Sequence, residues 1–138
     1  MAARFRSLLW ITAFAGPLLA VSPREEVLGT WRGTSTCVNK EKHPACKDEV
    51  VIYEIRPSKT AAEGIEVSAD KVVNGERGTM GVLEFTYDAR RKAWTSELTT
   101  RRGERALWIL PVVGKRIDGE LVDLPDGGRV RVVAVKKD

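Results

Sequence analysis

From Gly29 onward the chain is a succession of short runs of β-branched and aromatic residues, each cut off by turn residues. Within most runs apolar and polar side chains alternate. A period of two is the mark of a strand with one buried face, and no segment keeps helical periodicity for more than a turn or two. The runs are Leu28–Val38, Glu49–Arg56, Ile65–Val73, Val82–Tyr87, Ala93–Thr100, Arg105–Val112, Arg116–Leu121 and Arg129–Lys136. Asn74-Gly75 is a strong hairpin signal. Pro57-Ser58-Lys59, Asp88–Lys92, Arg101–Glu104, Gly114-Lys115 and Pro125–Gly128 punctuate the rest. Residues 76–81 read as a glycine-containing lead into the fourth strand. Eight strands in sequence, mostly joined by hairpin-length turns, predict an all-β fold. The expected form is a single antiparallel up-and-down meander making a small barrel or half-barrel, because closure removes exposed sheet edges.

The first twenty residues belong to a different pattern. Arg4 and Arg6 precede an apolar stretch that ends at Ala20, the arrangement of a cleaved secretory signal. The apolar run from Leu8 to Val21 is short against the roughly 20 residues that a spanning helix needs. The expected organisation is a signal over residues 1–20, a flexible leader over 21–26 and one barrel domain over 27–138. The expected location is outside the cytoplasm, periplasmic or extracellular, with no stable membrane anchor after cleavage. Without Arg4 and Arg6 the remainder holds 21 basic and 19 acidic residues. Charges so balanced and interspersed argue against nucleic acid as a partner.

Cys37 and Cys46 enclose a charged loop containing His43-Pro44. An isolated even pair in an exported chain predicts a disulfide. The competing reading is a metal site on Cys37, His43 and Cys46, for which no fourth ligand is evident. The expectation is therefore no metal and no cofactor.

Gly29-Thr30-Trp31, opening the first strand, resembles the Gly-x-Trp signature of lipocalins and their calycin relatives. The resemblance spans residues 27–136 by pattern and three residues by motif. It implies that Trp31 closes one end of the barrel and packs against a basic residue from the last strand, here Arg129 or Arg131. The chain departs from that family in being short and in lacking its Thr-Asp-Tyr motif; Thr86-Tyr87-Asp88 has the residues in another order. In size, first strand and single local disulfide it is also similar to small exported inhibitors of bacterial proteases.

Catalytic motifs are sparse. His43 is the lone histidine, and there is no Gly-x-Ser-x-Gly elbow or glycine-rich phosphate loop. Asp118, Glu120 and Asp123 are closely spaced carboxylates, but Asp118 and Glu120 alternate onto the solvent face of their strand. They define a carboxylate-dependent hydrolase as the least favoured alternative. The aromatic set is richer: Tyr53, Phe85, Tyr87, Trp94 and Trp108 fall mostly on inward positions. An eight-stranded barrel is just wide enough to be filled by such side chains or to hold one small ligand. The leading expectation is a non-enzymatic binding protein for a small apolar ligand, on these five residues, or for a secreted protein partner. An inhibitor of a secreted or periplasmic hydrolase is the alternative.

Overall fold

A computed structural model describes residues 11–13, 16 and 21–138. The signal expected over residues 1–20 lies largely outside the described residues. Ser22 caps a one-turn helix, α1 (Pro23–Val27), its hydroxyl accepting from the Glu25 amide at 3.2 Å. Pro23 falls in the first turn, where its missing N–H leaves nothing unpaired. The segment expected as a flexible leader is thus held in a helix, and fully buried Val27 anchors it to the barrel.

Eight strands follow: β1 (Gly29–Cys37), β2 (Glu49–Pro57), β3 (Ile65–Val73), β4 (Glu76–Asp88), β5 (Ala93–Thr99), β6 (Arg105–Val113), β7 (Arg116–Asp123) and β8 (Arg129–Lys137). Each pairs antiparallel with the next, and β8 returns to β1, giving a closed up-and-down barrel. The closing seam runs from Trp31 opposite Lys137 to Cys37 opposite Arg131.

The fourth strand is longer than its residues suggest. Alternation is confined to Val82–Tyr87, yet β4 begins at Glu76. Asn74 and Gly75 both take positive φ, 53° and 79°, which is the twist a two-residue hairpin turn needs. That turn lays Glu76 against Val73, and the first half of β4 is held by its ladder to β3 rather than by burial. A bulge between Ala69 and Asp70 leaves Met80 without a partner in β3. On its other side β4 pairs with β5 only through Thr86–Thr95, Tyr87–Trp94 and Asp88–Ala93. The barrel wall is therefore split between these strands from Phe85 back to Glu76.

Alternation sends Trp31, Val51, Tyr53, Ile55, Ile65, Val67, Phe85, Trp94, Leu110, Ile117, Val133 and Val135 into one core. At the α1 end Trp31, Ile65, Trp94 and Ile117 are sealed from solvent. The other end carries the disulfide loop. Cys37 and Cys46 are bonded, with Cα atoms 6.1 Å apart, so the metal alternative falls away with its thiolates. Lys42 on that loop pairs with Asp123 at 3.1 Å and Asp126 at 2.5 Å. His43 Nε2 lies 3.1 Å from Asp123. Replacing Cys37 with alanine should lower unfolding free energy by about 2–3 kcal/mol, the chain entropy that so short a loop otherwise confines. Denaturant melts of the oxidised parent and the variant check this; coincident midpoints would contradict it.

Candidate functional site

The barrel has one sealed end and one open end, and the chain chemistry at the two differs. At the sealed end the Trp31 indole donates to the Val27 carbonyl at 2.8 Å, tying β1 to α1. A cation does lie over this ring, but it is Lys137, with Nζ 5.7 Å from the ring centroid. The same ammonium donates to the Glu26 carbonyl at 3.0 Å. Arg129 and Arg131, the residues expected here, are at the opposite end of β8. The seam register decides the matter: Trp31 faces Lys137, and the arginines lie six or more residues back along the strand. At roughly 3.3 Å per residue that is about 20 Å away. Arg129 instead pairs with Glu120 at 2.8 Å on the outer wall.

Arg131 points into the open end. It donates to the Ser35 hydroxyl at 2.9 Å and the Lys47 carbonyl at 2.8 Å, and Glu49 lies 3.6 Å away. Below this polar cluster is a cavity of about 300 Å³. Its apolar wall is Tyr53, Ala69, Met80, Leu83 and Trp108; Ser35, Glu49 and Arg131 supply the polar side. A pocket of about 40 Å³ continues inward past Tyr53, Leu83 and Trp108 to Val67, Phe85 and Leu110. Of the five expected ligand residues, Tyr53, Trp108 and Phe85 line this space. Trp94 and Tyr87 do not.

Those two occupy the sealed end. They face each other across the short β4–β5 ladder, with ring centroids 5.3 Å apart. Trp94 is fully buried and its indole N–H has no partner among the described residues, whereas Tyr87 is 39% exposed. The parity of both side chains is inward, but their height along the barrel removes them from the cavity.

Burial pushes the Tyr53 phenol up to about 12; Arg131 opposes the shift and Glu49 adds to it. An acid whose pKa is raised by folding contributes stability that is intact below its ordinary value near 10 and is lost as pH climbs to about 12. The full effect corresponds to about 2–3 kcal/mol. Tyr53 and Tyr87 are the two tyrosines of the chain. Tyrosinate absorbance should therefore show a late step near pH 12 that is absent in Tyr53→Phe. A parent without the late step would contradict the burial argument.

The carboxylates singled out in sequence do not converge. Asp118 lies 3.4 Å from Arg116, and Glu120 pairs with Arg129, both on the outer wall. Asp123 turns inward at the open end and holds the disulfide loop through Lys42 and His43. No group of three metal-ligating side chains is found among the described residues. The signals that sequence reasoning missed are Arg131 as a cavity residue and Met80, Leu83 and Glu49 beside it. Leu83, Glu49 and Arg131 follow the same inward parity as Tyr53 and were available from it. The chain matches no protein-family model and no curated protein.

Proposed function

We propose that this protein is an exported, non-enzymatic barrel of lipocalin type that binds a small apolar ligand carrying one polar end. The observation that carries the reading is a cavity open at one end of a barrel whose other end is plugged. The apolar body of the ligand rests on Trp108, Leu83 and Tyr53, and its polar end meets the Arg131–Ser35–Glu49 cluster. A volume of about 300 Å³ is at the small end of ligand pockets, so the ligand is compact. Buried Trp31 beside a cation from the last strand supports the lipocalin likeness, with Lys137 in the basic role.

Mass spectrometry of small molecules extracted from purified protein tests the reading. A stoichiometric apolar compound is expected. Trp108→Ala should weaken its rebinding by about thirtyfold, the equivalent of about 2 kcal/mol of lost contact. The same change should lower the melting temperature less than truncation of Trp31. Absence of any bound compound, with rebinding indifferent to Trp108, would remove the proposal.

One observation favours the alternative, an inhibitor of a secreted hydrolase. The Cys37–Cys46 loop is cross-linked and latched by Lys42 to Asp123 and Asp126, so it is preorganised for docking at little entropic cost. A co-purifying protease in place of a small molecule would select this reading.

A further inference from the structure

The split wall between β4 and β5 leaves a strand edge whose composition is unusual for a surface. Glu76 to Phe85, Met80 at the bulge excepted, pair with β3 on one side and with nothing on the other among the described residues. Exposed edges are commonly protected by lysine, proline or inward charge. The stretch Gly78-Thr-Met-Gly-Val-Leu83 has none of these. Met80 and Val82 are 42% and 54% exposed. A Cβ placed on Gly78 or Gly81 would meet nothing within 4 Å, so another backbone can approach closely there.

We infer that this edge pairs with the same edge of a second copy, antiparallel across a twofold axis between Met80 and Gly81. In that register Thr79 faces Val82, Gly78 faces Leu83, and Met80 lies over the open space at Gly81 of the second copy. Arg77 faces Glu84, twice by symmetry. This charge match is what selects a second copy as the occupant. Within one chain Glu84 stands directly opposite Glu66 in β3; Arg56 stands opposite Glu66 on the β2 side, which leaves Glu84 without a cation on its free side. Like charges so placed destabilise a ladder, and an incoming guanidinium relieves them. Arg77 uses Nε and Nη2 on Asp70 and Glu54, so Nη1 is available. A self-complementary edge closes at two copies rather than growing into a filament.

Sedimentation equilibrium of the exported chain over micromolar to millimolar concentration tests this. A monomer–dimer equilibrium is expected, and hydrogen exchange at the β4 amides of residues 78–83 should slow as the dimer fills. Glu84→Arg sets Arg77 against a second cation, and Val82→Lys charges the centre of the edge. Each should raise the dimer dissociation constant at least about tenfold. Both positions are exposed, so the melting temperature of the dilute protein should not fall. A dimer indifferent to both variants overturns the inference. So does a monomer at every concentration, which would leave the edge to a strand from another protein.

Discussion

Truncation of Trp31 to alanine should cost about 3–5 kcal/mol, the range for removing a large buried ring. A domain of this size has only about 5–15 kcal/mol of net stability, so the variant should sit near its unfolding midpoint at ambient temperature. Several links fail together. The indole fills the centre of the sealed end with no exposure, its N–H holds α1 through Val27, and its face supports Lys137. Trp31→Phe separates these effects: it keeps much of the packing and loses the bond to Val27, at a further cost of about 1 kcal/mol. Thermal melts of the alanine variants of Trp31, Trp94 and Trp108, run together, check the order. A Trp31 variant that melts like the parent would mean that the Gly-Thr-Trp likeness is accidental.

The second large effect is expected at a residue with no side chain. Gly33 stands opposite Val135 where β1 meets β8, and a Cβ there would fall on the Ala134 carbonyl, with the Val135 Cα only 2.8 Å away. Both obstacles are backbone, so no rotamer change can relieve the clash. Gly33→Ala should lower stability by about 3 kcal/mol, the upper part of the overpacking range. The damage should be local to the seam. Amides of β1 and β8 should lose hydrogen-exchange protection before those of β2 and β3. A variant with parental protection along β8 would show that the two strands can separate freely to admit a methyl group.

The contrast between these two positions shows what was legible in the chain. Trp31 declares itself: a large ring in an alternating run, behind a glycine and ahead of a threonine-rich face. The strands and their inward faces follow from the same local rule, which is why Tyr53, Phe85 and Trp108 could be picked as lining residues. Height along the barrel is not local. Tyr87 and Trp94 have the correct parity, yet they meet at the plugged end, because strand tilt and stagger decide which inward residues share a level. The identity of the cation over Trp31 depends on the register between strands some hundred residues apart, and nothing in Arg129-Val-Arg131 encodes that register. The early half of β4 was hidden for another reason. Its partner, not its own pattern, makes Glu76–Gly81 a strand. The disulfide was legible because two cysteines leave one pairing.

The seam that closes the barrel also dictates when the barrel can form. Neighbouring strands from β1 to β7 can meet as soon as each hairpin is made, and such contacts are quick to find. The last ladder joins Trp31 to Lys137, and the Arg32–Asp138 ion pair beside it spans 106 positions. Contacts so remote in sequence are the slow ones, since the loop must be closed before they repay the ordering. Until β8 arrives the chain is a curled ribbon with two raw borders, one along β1 and one along β7. Synthesis from the N-terminus delivers those borders in order, β1 first and β8 last. The ring is therefore completed only after nearly all of the polypeptide has emerged, and a folding intermediate exposes the β1 edge for longest.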